Sequence, residues 1–323
     1  MTLAALELLI APYDLQTFLE RWWEREPLLI SRDDPSRFDR LMSRPVFDDL
    51  VAHTNLRAPF FRLVKDGDIV PEAACTTTRR LGPSTDTGLA DLNAIYDGFN
   101  DGMTVVLTAL EKICPALTRF CAELEGVFRC AVEARAWLAP PAASEAQPRY
   151  DTHGTFVLQL EGTTRWSIWG DRWRSSSSIG ADAAATECLL KPGDSLYLPS
   201  GFNHATAESS ASSLHLTVEA KVLRWLDVID AAVREVLASL ETDHDAQRAL
   251  VFGRRPGQPI GAEDDAALSE LAARLKAGLN AERLVALARS WPEPPRRVDH
   301  GGALLRRLPD EAAPFGGGRH EHA

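Results

Sequence analysis

The stretch from Arg149 to Glu161, RYDTHGTFVLQLE, most constrains what this chain can fold into. Polar and apolar residues roughly alternate along it, and a strand repeats its side-chain direction every two residues. Phe156, Leu158 and Leu160 therefore share one face. Arg149, Asp151, His153, Thr155, Val157 and Gln159 share the other. Glu161-Gly162-Thr163 supplies a turn, so the pattern predicts a β-hairpin that returns through Arg165 to Trp169. Two further stretches extend it. KPGDSLYLPSGFNHA, from Lys191 to Ala205, reads as turn, strand, turn and histidine, and SLHLTVE, from Ser213 to Glu219, is another alternating strand. A strand bearing Asp and His, followed about fifty residues later by a strand, a turn and a His, is how a small β-barrel aims metal ligands into its mouth.

The rest reads as helices and connections around that β core. Residues 4 to 24 are expected as one helix stopped by Pro27, with Trp22 and Trp23 packed in the core, and 28–30 as a short strand. A helix is expected over 45–52, a strand over 60–64 ending at Asp66-Gly67, a loop over 75–88 and a helix over 89–99. A brief strand comes next at 104–107, then an amphipathic helix over 110–124 and a strand over 127–138 that carries Arg135 and Trp137. Loops are expected at 140–147 and 171–185. An amphipathic helix over 221–240 puts Leu223, Leu226, Ile229, Val233 and Leu237 on one face. A linker at 253–259, a helical run over 266–290 and a Pro/Gly/Arg-rich disordered tail over 292–323 complete the reading.

The net charge of −11 argues against a nucleic-acid partner, which needs a cationic face, and permits a basic one. No run of eighteen apolar residues exists, so no membrane span is expected, and the N-terminus lacks the basic segment of a signal peptide. Five cysteines, an odd number without metal spacing, fit reduced thiols in a cytoplasm.

RYDTHGTFVLQLEGTTRW, GDSLYLPSGFNH and SLHLTVE resemble the JmjC-type cupin oxygenases, in the branch that contains the ribosomal oxygenases. FLERWWEREPLLI, FFRLVKDG and DGMTVVLTALEKICPAL also have counterparts there, so the resemblance covers about residues 15 to 222. It implies a mainly β fold with α: a double-stranded β-helix (cupin/JmjC jelly roll) over residues 61–222, with an N-terminal helical cover over 1–60. A C-terminal helical region over 223–291 would serve homodimerisation. It also implies Fe(II) and 2-oxoglutarate as cofactors, and a peptide or protein as the molecule acted on.

At the site the chain departs from the pattern. The family's metal triad is His-x-Asp plus a distal His. Asp151 and His204 match two of these positions, and Arg149 stands at the first histidine. The 2-oxoglutarate anchor position is Thr164, with Arg165 beside it. Arg135 and Trp137 replace a pocket Asn and Tyr, and His215 matches a pocket-wall histidine. A guanidinium stays protonated and has no lone pair for a metal. Three outcomes are open. Arg149 can replace the metal by pairing with Asp151, whose carboxylate would otherwise cost about 3–5 kcal/mol to bury alone. His153 can rebuild the triad, although it would sit about 6–7 Å along the strand from Asp151. Two ligands and water can hold metal weakly. Loss of the anchoring cation at Thr164 costs about 2–5 kcal/mol, or about thirty- to several-thousand-fold in cosubstrate affinity. The preferred reading is therefore a diverged member acting as a peptide-binding module. The alternative is a working Fe(II) oxygenase with an altered triad.

Overall fold

The computed structural model describes residues 4–141, 143, 148–173, 179, 184–207, 211–247 and 262–293. The chain forms two compact units, one built on residues up to Lys221 and the other running from Val222 to Pro294.

The first unit opens with α1 (Ala4–Ile10), α2 (Leu15–Arg21), β1 (Leu28–Ile30) and α3 (Arg44–His53). Next come β2 (Phe61–Lys65), β3 (Asp68–Ile69), β4 (Thr76–Leu81), β5 (Ser84–Ala90), α4 (Leu92–Asn100) and β6 (Thr104–Leu107). They lead into α5 (Leu110–Ile113), α6 (Pro115–Phe128), β7 (Ala131–Ala139), β8 (Arg149–Tyr150), β9 (Gly154–Glu161) and β10 (Thr164–Arg172). The unit ends with β11 (Ala185–Leu190), β12 (Ser195–Leu198), β13 (Phe202–Ala207) and β14 (Ser213–Lys221). An eight-stranded sheet runs β1-β12-β9-β14-β7-β6-β2-β3, a four-stranded sheet runs β11-β10-β13-β8, and β4 pairs with β5 alone. The paired strands are antiparallel and form the expected jelly roll.

Alternation sets which face of the large sheet is dry. Phe156, Leu158 and Leu160 of β9 and Leu214, Leu216 and Val218 of β14 join a single apolar core with Leu6, Leu9, Phe18, Leu117 and Leu124 of the covering helices. Phe18 meets Phe156 and Tyr197 at ring distances of 5.8 and 5.1 Å, and Trp23 stacks on Phe128 at 4.3 Å. The tryptophan pair is thus packing, as its sequence context suggests.

Several expectations need correction. Arg149 to Glu161 is not one strand, and it does not form a hairpin with β10. β8 pairs with β13 in the small sheet, whereas β9 lies between β12 and β14 in the large one. The chain leaves one sheet and enters the other across residues 151–153. It crosses back at Gly162, so β10 pairs with β11 and β13 and not with β9. Gly162 has φ +65°, and a Cβ there would run into the Ser212 carbonyl, which is why this corner needs glycine. The expected helix over 4–24 is two, since Pro12 interrupts it and Asp14 restarts it by capping Thr17 N at 2.8 Å. The helix over 110–124 breaks at Cys114 because Pro115 opens a new one. The loop over 75–88 is largely the β4–β5 hairpin; its β-branched threonines pair across the ladder.

In the second unit, α7 (Trp225–Leu240), α8 (His244–Gln247), α9 (Ala262–Gly278) and α10 (Ala281–Arg289) form a helical cluster. The run over 266–290 is again two helices, because Asn280 caps the second by accepting from Arg283 N at 2.9 Å. α7 buries Val228, Ala232 and Val236, whereas Leu223 before it and its own Leu226, Ile229 and Leu237 are exposed. The expected linker and most of the expected tail lie outside the described residues.

Candidate functional site

The second face of β9, β14 and β7 looks into a cavity of about 510 Å³. Thr155 and Val157, His215, Thr217 and Glu219, and Arg135 and Trp137 come from these three strands. The small sheet adds Arg149, Thr164, Trp166, His204 and Thr206, and β2 adds Arg62 and Val64. The two-residue repeat explains the assignment in β2, β7, β9 and β14, because sequence neighbours of these residues there lie in the apolar core.

His204, on β13, is 2% exposed. Its Nδ1 lies 3.1 Å from the Phe202 carbonyl, an acceptor, so the Nδ1–H tautomer is the one that bonds there. Nε2 then faces Asp151 Oδ2 at 3.7 Å. A neutral imidazole would present a lone pair to a carboxylate, so this pair calls for a positive charge between or beside it. Asp151 itself comes directly after β8, is half-buried, and its carbonyl accepts from Gly201 N at 2.8 Å, which ties the bend to the turn before His204. Arg149 is the register partner of His204 across the ladder, so it brings a permanent cation to the same wall.

A second layer of aromatic rings stands beside this pair. The Arg149 guanidinium carbon lies 5.4 Å from the Trp137 ring centroid, within cation–π reach. Arg62 lies over the same ring at 5.7 Å. Trp137 donates its Nε1–H to Thr217 Oγ1 at 3.1 Å and stacks on His215 at 6.1 Å with 9° between planes. Trp166 meets His215 edge-on at 5.8 Å and His204 at 5.7 Å. Burial drives the His215 pKa down to about 3, with the Arg149 charge adding to the effect, so this imidazole is neutral near pH 7. Burial also lowers the Arg62 pKa, and Arg135 and Arg149 lower it further while Glu219 opposes them.

The structure brings Arg149, Asp151, His204, Thr164, Arg135, Trp137 and His215 to one cavity. Thr164 Oγ1 bonds to Ser213 Oγ at 3.3 Å. Arg135 pairs closely with Glu219 and more loosely, at 3.4 Å, with Glu133. Two of the anticipated residues are not on its wall. His153 sits in the bend between β8 and β9, and Arg165 points outward, half-exposed, toward Glu187 at 3.5 Å. Arg165 obeys the alternation rule, since its neighbours Thr164 and Trp166 face the cavity. Among the described residues no three His, Cys, Asp or Glu side chains converge into a metal-holding group. Arg62 is a wall residue that the sequence reading did not single out. The alternation in Phe61–Lys65 carries the signal for Arg62, but only once the polar face of that strand is known to be a cavity wall.

A jelly roll whose mouth gathers an Asp–His pair from one sheet and a polar wall from the other defines a JmjC-type site, and residues 109–228 match the family model for the JmjC domain. The chain is 27% identical over 258 residues to a bifunctional lysine-specific demethylase and histidyl-hydroxylase NO66 of Aedes aegypti, covering 75% of this chain and 39% of that protein. It is 28% identical over 256 residues to ribosomal oxygenase 1 of Gallus gallus, covering 75% and 41%. Among solved structures it is similar to the Escherichia coli ribosomal oxygenase YcfD, at 18% identity and a TM-score of 0.49, over 85% of this chain and 70% of that one. Residues 109–228 thus match a JmjC domain, and the chain is similar to the ribosomal oxygenases. It spans about two fifths of the length of these two curated relatives. No described helix is long and apolar enough to cross a membrane.

Proposed function

We propose that this chain keeps the frame of the Fe(II)/2-oxoglutarate protein hydroxylases but has given up their metal chemistry, and acts as a peptide- or protein-binding module. Fe(II) in such a site would activate oxygen, and it requires three protein donors on one face. Asp151 and His204 supply two, while Arg149 at the third place has no lone pair and repels a divalent cation. The observation that carries this reading is that Arg149 pairs in register with His204 beside Asp151, with no three-donor group among the described residues. The residues at hand therefore do not fit the metal. They do not fit the cosubstrate either, since the anchor position Thr164 carries a hydroxyl bonded to Ser213 in place of a cation.

A second reading, a working Fe(II) oxygenase with an altered triad, draws on one observation: His204 Nε2 and Asp151 Oδ2 face each other at 3.7 Å on the cavity wall. His153, the substitute ligand this reading would need, is outside that wall. Anaerobic addition of Fe(II), with measurement of iron per chain and of uncoupled 2-oxoglutarate turnover, separates the two. Substoichiometric iron and no turnover are expected. Stoichiometric iron with turnover sinks the binding-module reading.

Relatives named for ribosomal and histidyl activities make a protein partner reasonable. Exposed Trp225, Leu226 and Leu237 on α7 support a homodimer through the second unit. The cysteines, Cys75, Cys114, Cys121, Cys130 and Cys188, form no disulfide, which suits a cytoplasmic location. The net charge of −11 speaks against nucleic acid as partner.

A further inference from the structure

We propose that Glu24, between α2 and β1, and Arg172, at the end of β10, are positioning residues that hold Asp151 and His204 facing each other. Glu24 belongs to FLERWWEREPLLI, the stretch whose two tryptophans are packing. The clamp acts on the pair whether or not the pair meets a metal, so it stands apart from the binding-module reading.

Glu24 takes the left-handed backbone conformation, with φ 52°. A residue with a Cβ is strained there and persists only where its surroundings fix it. Here they do. The Glu24 N–H donates to the Tyr197 hydroxyl oxygen at 3.0 Å, and the Glu24 carbonyl accepts from Arg172 Nη1 at 3.1 Å. Oε1 accepts from the Tyr197 hydroxyl at 3.3 Å and from Ser200 N at 3.4 Å. Oε2 accepts from Ser200 Oγ and lies 3.5 Å from Arg172 Nη2. Tyr197 is 2% exposed and Ser200 3%, so these charge-assisted bonds are made away from bulk water, where they are strongest. The fit is close: a Cβ on Gly154 would come within 2.7 Å of Glu24 Oε1. Glycine at the start of β9 leaves the carboxylate its room.

The clamp is aimed at the turn that carries the site. Arg172 donates from Nε and Nη2 to the Ser200 carbonyl at 3.0 and 2.6 Å, and its guanidinium carbon lies 5.2 Å from the Phe202 ring centroid. The next residue, Gly201, donates its N–H to the Asp151 carbonyl, and the Phe202 carbonyl meets His204 Nδ1. One turn therefore grips both partners. It needs outside support, because β8 joins β13 through only two register pairs, Tyr150 with Asn203 and Arg149 with His204. That is shorter than an ordinary strand and fixes little by itself. Glu24 and Arg172 supply from the helical cover and from β10 the constraint that a longer ladder would give.

Hydrogen exchange of the full chain, read by mass spectrometry, separates this role from plain stabilisation. A carboxylate that merely ties down the cover would slow exchange evenly, whereas one that holds this turn slows it selectively. Glu24→Ala is expected to speed exchange at least about tenfold in peptides covering residues 149–153 and 200–206, and by less than about threefold in 156–160 and 214–220. Glu24→Gln, which keeps an acceptor but no charge, should fall between wild type and Glu24→Ala. Leu6→Ala, which removes apolar contact from α1 and none of these bonds, should speed both sets alike. In protein labelled with 15N-histidine, the His204 Nδ1–H resonance, identified by its loss in His204→Gln, should be sharp in wild type and broadened or lost in Glu24→Ala. If Glu24→Ala does not fold, Ser200→Ala and Arg172→Gln are read the same way, with at least about fivefold selectivity expected. Exchange that rises equally in both sets of peptides, or in neither, overturns the proposal. So does a His204 resonance that is the same in wild type and variant.

Discussion

The two faces of β7, β9 and β14 are made by alternate residues of the same strands, yet they obey different rules. One face, with Phe156, Leu158, Leu216 and Val218, is apolar, dry and packed against the helical cover. The other, with Arg135, Trp137, Thr217 and Glu219, is polar and looks into the cavity. The contrast teaches that the frame and the site of this fold are written in separate registers. Chemistry can be exchanged on one face while the jelly roll is held by the other.

The largest expected effect lies on the dry face. Phe156→Ala should cost about 3–5 kcal/mol in denaturant unfolding, because it leaves a void among Phe18, Phe128 and Tyr197. If a cavity-face truncation such as Thr155→Ala cost as much, the division between the faces would be wrong. Next comes a cavity-face residue whose loss should also be felt in stability. Glu219→Gln leaves Arg135 and Lys221 with Glu133 alone and should cost about 2–3 kcal/mol, below a fully buried pair because Arg135 is partly solvated.

The third effect is a pH dependence. The folded pKa of His215 is depressed to about 3, below its ordinary 6.5, so between those values the unfolded chain holds the extra proton. Its contribution is complete above about pH 6.5 and is lost as pH falls toward 3, with a slope of about 1.4 kcal/mol per unit. Equilibrium unfolding of wild type and His215→Leu across pH 4.5 to 7 checks this, with the slope reduced in the variant. Arg149→His should change stability by only about 1 kcal/mol or less, yet raise anaerobic iron binding toward one per chain. No gain in iron over wild type would show that Arg149 is not what blocks the metal. A comparably small effect is expected for Thr164→Ala, which removes a 3.3 Å bond to Ser213 and should cost about 0.5–1.5 kcal/mol by thermal melting.

Much of this was legible in the chain itself. The alternation of Phe156, Leu158 and Leu160 against Thr155 and Val157 shows which residues share a face, and SLHLTVE does the same for β14. Arg165 could be assigned away from the site by parity with Thr164. The gathering of Arg149, Asp151 and His204 came from the resemblance. What misled was continuity. Residues 149 to 161 read as one strand because alternation persists through the bend at 151–153, where the chain changes sheets. His153 seemed to share a wall with Asp151 for that reason only. Arg62 was overlooked because it lies far from the central motif in sequence and reaches Trp137 only through the β2–β6–β7 pairing.

The sequence alone determined the local quantities: which side chains share a face, where Pro115 and Asp14 begin helices, and that a guanidinium with no lone pair stands two residues before Asp151. Those come from the fixed period of the backbone and the chemistry of single residues. Only the tertiary structure decided that three guanidiniums from β2, β7 and β8 line one cavity, with the nearly buried Trp166 and His215 rings from β10 and β14 beside them. Such a cluster depends on strand pairings between residues far apart in the chain, and no local period encodes which distant strands meet.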